Sequence, residues 1–458
     1  MGNSFAICGF LLLAVTTLHG ATRVWVGADG ANWSDASSWD GGVPTAVDKV
    51  SVTNDTHIVV DVDSSAEAPA ASNMVIKTGV SVTISGGHTL YLYNGATNTA
   101  VNAKTQKLVG ENASLEVTGS GTRFYAMSYL PNSEQNDAEV KGDLAATKGA
   151  YIEINAIRIF KPASLSAEGA DSNGVRSRIV FGAGSGRGPD DGSSFTADGG
   201  DLIWRKYADA KRYWNFNNGY KPVVRVRNGG TNDMTDVTFN HYGALDAVVE
   251  SGGVLVVDTL PNHNEYGKTP WYSTIVLSNG TMRARGVPGY YDYSQVYFTF
   301  AGDTPYLSVN GLELGSPGAK EYKGGDPGFA DVTLAPTPAW TNNDCIIDCT
   351  NAANQVNLGT NLIFRLDVDG LKVWADIDGG TLVLPVFRAA RQERAGSRSI
   401  KPNASMLVDG RWPVTNIVGR QAERYAASFG YREGDDEYRF FDLTVTKRRK
   451  TSLTIRLR

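Results

Sequence analysis

Short runs in which apolar and polar residues alternate, each closed by Gly, Asn, Asp or Ser, recur along almost the whole chain. VSVTISGG, ASLEVTGSG, AYIEINAIRIF, GVLVVDTL, STIVLSNGTMRARG and YLSVNGLELG are examples. Alternation of this kind places successive side chains on opposite faces of an extended strand, and the glycine-rich closures supply tight turns, so the pattern predicts many strands. Runs beginning at Leu202, Val223, Val237, Val254, Ile275 and Val296 follow one another at 21, 14, 17, 21 and 21 residues, near the lower end of solenoid repeats at about 20 residues. Units of this size bury little alone, but stacking lets each strand pair with the rungs above and below. The expected fold is all-β: a right-handed parallel β-helix, or solenoid, over 21–387, followed by a small C-terminal β-rich or α+β unit over 388–458. Tandem antiparallel β-sandwiches, whose strands arrive every ~8–12 residues, are the alternative.

One stretch reads as a helix, VGRQAERYAASFG, where Val418, Tyr425 and Phe429 would share an apolar face before Gly430. It lies in the C-terminal unit, whose charge also differs from the body. Residues 388–458 hold 16 basic and 8 acidic side chains, +8, against −13 for everything before them and −5 for the whole chain. So small a net charge does not mark nucleic acid as the partner. A composition of 41% hydrophobic and 20% charged residues with 51 glycines fits a globular β-protein and excludes a disordered or collagen-like one. At the N-terminus an apolar run from Phe5 to Leu18 precedes the small residues Gly20 and Ala21, the pattern of a secretory signal over 1–20. No later segment reaches the ~20 apolar residues of a membrane helix, so the mature chain is expected to be exported without a membrane span.

Cys345 and Cys349 are the mature chain's only cysteines. An oxidising compartment favours a loop-stapling disulfide between them, which would require a bent segment because positions four apart on a strand lie ~13 Å apart. His57, His88, His241 and His263 are scattered and form no ligand motif. In LDVDGLKVWADIDGG, Asp367, Asp369, Asp376 and Asp378 offer oxygen ligands for calcium, although Asp-Gly is equally an ordinary turn signal, and that structural reading is preferred. No other cofactor is expected. Sequons at Asn32, Asn54, Asn112, Asn279 and Asn403 matter only in a host that glycosylates them.

The segment VWVGADGANWSDASSWDGGVPTAVDKVSVTN carries Trp25 and Gly27, Asn32 and Trp33, then Trp39, Asp40, Gly41, Gly42 and Pro44, with Asp48 ahead of an apolar strand. It resembles the opening of secreted bacterial β-solenoid proteins, including those with autotransporter-associated β-strand repeats. The likeness covers about 35 residues and implies a cell-surface or extracellular protein with a passenger, adhesive or scaffolding role. The chain lacks the ~10-residue strands and aromatic girdles of a membrane barrel, so it does not resemble a complete autotransporter. Trp25, Trp33 and Trp39 would cover the open end of a stacked core or, if exposed, stack on sugar rings.

A second aromatic cluster, Trp204, Arg205, Lys206, Tyr207, Arg212, Tyr213, Trp214 and Tyr220, combines rings with cations as a groove for an acidic polysaccharide would. Candidates for catalysis are thinner. Asp190 and Asp191 form a potential carboxylate pair, and His241, Lys268, Arg283 and Arg285 would supply a base and a carboxylate clamp if neighbouring rungs aligned them. Neither a Gly-His-Gly element nor a Gly-x-Ser-x-Gly elbow is present. The preferred reading is a structural, adhesive or glycan-contacting surface protein without catalysis, with a polysaccharide or another cell-surface component as partner. The alternative is a polysaccharide lyase or glycoside hydrolase working in a cleft along the solenoid.

Overall fold

The computed structural model describes residues 20–448, save 95–105, 129–136, 184–188, 191, 208–213, 216–220, 240–243, 261–271, 287–294, 311, 316–328, 350–355, 372–379, 391–399 and 433–437. Residues 1–19 of the region expected to be a signal lie outside the described residues.

The chain is all-β, with long parallel sheets of the β-helix or solenoid kind. Among the described residues, successive turns of the coil add strands mainly to two large sheets. Counting described residues only, Ser114–Thr118 belongs to a sheet of 14 strands, Arg123–Ser128 and then Ala138–Val140 lie in a sheet of 19, and Asp143–Thr147 returns to the first, pairing in parallel with Ser114–Thr118. Asp143 in turn faces Ser164, 21 residues on. Parallel pairing of this length rules out the antiparallel sandwiches for the body. It also refines the repeat: the runs at Ile275 and Val296 are neighbouring rungs of one sheet, whereas Val237 lies in a separate two-stranded sheet and the other steps pass from one large sheet to the other. Leu202 lies on the larger sheet, Val223 on the other, and Val254 back on the larger one.

Tight corners make this possible. Between Asp246–Glu250 and Val254–Thr259, Ser251 and Gly252 both take left-handed backbone, with φ of 50° and 75°. Gly253 follows them, and a Cβ there would stand 2.5 Å from the Val226 carbonyl oxygen of the rung before. Thus the first glycine supplies the turn and the second the close approach. Alternate residues of each strand point inward: Leu90 and Leu92, Phe124 and Ala126, Ile152 and Ile154, and Leu202 and Trp204 are all buried.

Both described ends are closed. At the first, Trp25, Trp33 and Trp39 are buried, with Trp39 edge-on to Trp25 at 4.9 Å and to Trp33 at 4.8 Å. Capping, not an exposed sugar platform, is therefore what they do. Beside them, burial alone would raise the Asp48 carboxyl, but hydrogen bonds from the Thr45 amide and hydroxyl and the Ala21 amide outweigh it and hold the group below the usual carboxylate range.

At the other end, Thr381–Ala390 pairs in parallel with Ile347–Cys349 and antiparallel with Tyr438–Lys447, which pairs onward with Tyr425–Arg432. Phe364, Phe387, Phe429, Phe441 and Trp412 fill this closure. The expected helix is absent here. One 3-10 turn, Ala422–Arg424, leads into the strand Tyr425–Arg432, because pairing with Tyr438–Lys447 turns Phe429 into the core. Residue 388 falls inside Thr381–Ala390, and parallel pairing continues beyond it in Ile400–Pro402 and Asn416–Val418.

Candidate functional site: a tyrosine ladder on the larger sheet

The strands Thr89–Asn94, Arg123–Ser128 and Tyr151–Ile159 lie side by side on the larger sheet. Their inward residues being aliphatic or Phe124, the intervening positions face out, and the register aligns Tyr91 with Tyr125 and Tyr125 with Glu153, while Arg123 aligns with Tyr151. Rungs separated by ~4.8 Å bring outward rings of successive strands within stacking range. Tyr91 and Tyr125 stack at 5.3 Å between centroids, Tyr125 and Tyr151 meet at 5.6 Å, and Tyr93 lies 6.4 Å from Tyr91. Tyr91 and Tyr125 cover one another's faces, while Tyr151 and Tyr93 are tilted against them.

Glu153 anchors its far end. The Tyr151 hydroxyl donates to Oε2 at 2.6 Å and the Tyr207 hydroxyl to Oε1 at 2.7 Å. Tyr207 follows the strand Asp201–Arg205, two rungs further on. Its ring reaches back across Gly182, where a Cβ would lie 2.5 Å from the Tyr207 ring and 2.3 Å from the Asn155 carbonyl oxygen. A side chain at position 182 would therefore drive the phenol off Glu153. Burial first, then the bond to Glu153 and its charge, push the Tyr151 and Tyr207 hydroxyls well above the ordinary tyrosine range, with Arg205 opposing.

These shifts give an expected titration. Glu153→Gln removes the charge and lowers both phenols, while burial still holds them above the ordinary tyrosine range, as followed by tyrosinate absorbance; an unchanged titration would contradict the assignment. The sign for stability follows. Phenols whose folded pKa is raised contribute stability that is fully present below about pH 10 and is lost as pH rises through the folded values.

Of the polysaccharide-groove residues, Tyr207 and Arg205 belong to this face, and Arg205 is exposed. Lys206 is exposed, and its backbone N–H donates to Asp236 Oδ2. Trp204 is a correction: it is buried between Phe181 and Phe195, its indole N–H donating to Asn232 Oδ1 at 2.8 Å. Its parity in the strand, two after inward Leu202, sends it to the core. Trp214 lies in the short strand Trp214–Asn215, while Arg212, Tyr213 and Tyr220 lie outside the described residues.

The catalytic candidates do not converge among the described residues. Asp190 stands at a turn, where its carboxylate accepts the Lys161 N–H at 3.3 Å. Arg283 and Arg285 share the outward side of Thr281–Gly286, Arg285 being paired with Asp258 at 2.9 Å. Asp191, His241 and Lys268 lie outside the described residues.

The metal and disulfide candidates have structural placements as well. Asp367 Oδ1 accepts the Asp369 N–H, and Asp369 Oδ1 accepts the Arg420 N–H, so both carboxylates stabilise turns. Asp376 and Asp378 lie outside the described residues, among which no group of three metal-ligating side chains gathers. Cys345 and Cys349 are free and buried in place of the expected disulfide, the extended strand Ile347–Cys349 carrying the second thiol away from the first. Burial pushes the Cys345 thiol up to about 12 and Cys349 higher, leaving both protonated and unreactive.

Tyr91, Tyr93, Tyr125, Tyr151, Glu153 and Gly182 were not among the sequence candidates. Their signal was the parity of TLYLYN, RFYAMS and YIEIN, each with aromatics on the side opposite its aliphatics. No family model, no curated protein and no solved structure matches the chain.

Proposed function

We propose that the chain is an exported, non-catalytic surface protein, a right-handed parallel solenoid that contacts a glycan with its tyrosine ladder. Right-handed crossover is the hand that strand twist favours for parallel connections. Export and the surface role rest on the N-terminal apolar run and on the likeness of the Trp33 to Pro44 segment to solenoid proteins bearing autotransporter-associated repeats.

The observation that carries the glycan reading is the register of Tyr91, Tyr125 and Glu153 on successive rungs, with the Tyr151 ring beside Tyr125 and its hydroxyl on Glu153. Phenols present an apolar body and a polar tip, which suits a polymer that is both hydroxylated and ring-built. Both Glu153 oxygens are engaged, and the phenols bonded to them are pushed above the ordinary range. They therefore remain hydrogen-bond donors at neutral pH, whereas acid–base catalysis asks for a group that titrates near the working pH.

The test is a polysaccharide panel presented to the chain from Ala21 onward, scoring retention alongside release of reducing or unsaturated ends. Retention without release is expected, weakened up to about tenfold by Tyr125→Ala, the size of one or two aromatic contacts. Release of new ends that Glu153→Gln abolishes would overturn the non-catalytic reading and favour the lyase or hydrolase. Retention of no polymer would overturn the glycan reading.

A further inference from the structure

We infer that the polymer taken by the tyrosine face is anionic, a carboxylated or sulfated polysaccharide, and that Arg123 and Arg205 read its acid groups; this rests on the glycan reading above.

The charges on the face divide into those already compensated and those that are not. Arg176 and Arg178 share the buried carboxylate of Asp201, at 2.8 and 3.0 Å, so neither needs an external partner. The carboxylate of Glu153 is hydrogen-bonded by two neutral phenols and is in ion-pair contact with neither Arg123 nor Arg205. Arg123 and Arg205, by contrast, are exposed and form no ion pair among the described residues. They occupy opposite corners of the patch. Arg123 is beside Thr89 and Tyr151 in register, while Arg205 is beside Gly182, with Tyr207 two residues beyond it. Three rungs separate them, about 14 Å along the coil axis, a span suited to an extended polymer rather than one sugar.

The floor between them is low. Val180 and Gly182 point to this side but are buried, Ile203 is half-buried, and the Tyr207 ring crosses Gly182. A chain could therefore cross from one guanidinium to the other over phenol edges. Each guanidinium has a planar fork of donors that matches a carboxylate or sulfate with two parallel bonds, and neither is committed to an ion pair among the described residues.

The experiment uses immobilised polygalacturonate and dextran sulfate with unmodified dextran as the neutral polymer. Retention on the two anionic polymers is expected to fall as salt is raised, and Arg205→Gln to weaken it at least tenfold, with Arg123→Gln/Arg205→Gln abolishing it. Arg285→Gln, an exposed arginine already paired with Asp258, is expected to leave retention unchanged. Unchanged thermal unfolding of these surface variants establishes that they fold. Equal retention on dextran with Arg205→Gln silent, or an equal loss from Arg285→Gln, would overturn the inference and leave the tyrosine reading standing. Retention lost in the arginine variants but indifferent to Tyr125→Ala would instead overturn the tyrosine reading.

Discussion

Replacing Trp39 by Ala is expected to destabilise the first rungs by roughly 3–5 kcal/mol, the cost of removing a buried tryptophan. Trp39 stands between Trp25 and Trp33, touching both edge-on, and its indole N–H donates to the Trp33 carbonyl oxygen at 2.8 Å. Trp25 in turn is tied through its own indole N–H to the Thr56 hydroxyl at 3.1 Å. Taking away the middle ring therefore loosens three connected groups and opens an apolar interior to water. Stability in a stacked coil is a sum of local terms, so the damage should stay near the end where it is made. Hydrogen exchange is the measurement that resolves this. Protection of Lys49–Val52 and Thr56–Val59 should fall, while that of Tyr425–Arg432 and Tyr438–Lys447 holds. Trp39→Phe, which keeps a ring but loses the hydrogen bond and some buried volume, should cost about 1–2 kcal/mol for the hydrogen bond plus a packing loss. If Trp39→Ala left the first rungs as protected as before, the three tryptophans would not be a cap.

That cap was readable from the sequence because its residues are close together and its chemistry is local: three tryptophans among turn-forming glycines, ahead of an apolar strand. The parallel architecture was readable for a similar reason, since short alternating runs with glycine closures demand stacking to bury their apolar side. Rung length was not. Successive runs can fall on different sheets, so the distance from Leu202 to Val223 measures a crossing between sheets, whereas the partner of Leu202 on the next rung is Asn232. For the same reason the tyrosine ladder was hidden. Tyr91 and Tyr125 are neighbours only after a full turn, and loops of unequal length separate successive turns.

The false helix at Val418 to Phe429 has another cause. Its spacing suits a helix, but antiparallel pairing with Tyr438–Lys447 buries Phe429 against Phe441 at 5.4 Å, a long-range contact that local propensity cannot anticipate. With the cysteines it was compartment chemistry that suggested a bridge, whereas the strand geometry at Ile347–Cys349 holds the thiols apart.

Trp204→Ala is expected to cost at least about 4 kcal/mol and to leave polymer retention by the folded protein unchanged. Two penalties combine. Truncation empties the space between Phe181 and Phe195, whose centroids lie 4.7 and 4.5 Å from the indole, a cavity term of about 3–5 kcal/mol. It also strips Asn232, fully buried, of the donor to its Oδ1, worth about 1–3 kcal/mol when no water replaces it. The two share one site and need not add in full. Denaturant unfolding reads the loss, and Asn232→Leu placed on the Trp204→Ala background should recover part of it, because the orphaned polar group goes and apolar volume returns. This variant also separates the two places a tryptophan beside Arg205 and Lys206 could occupy. Flanking cations suggest an exposed ring that binds ligand, while the parity shared with Leu202 demands a core ring. Unaltered unfolding with polymer retention abolished would mean that the flanking charges were the better guide. Lost stability with retention intact in the folded fraction would mean that in a solenoid strand parity outranks neighbouring charge, and that Tyr207, not Trp204, carries this segment's contact with the ligand.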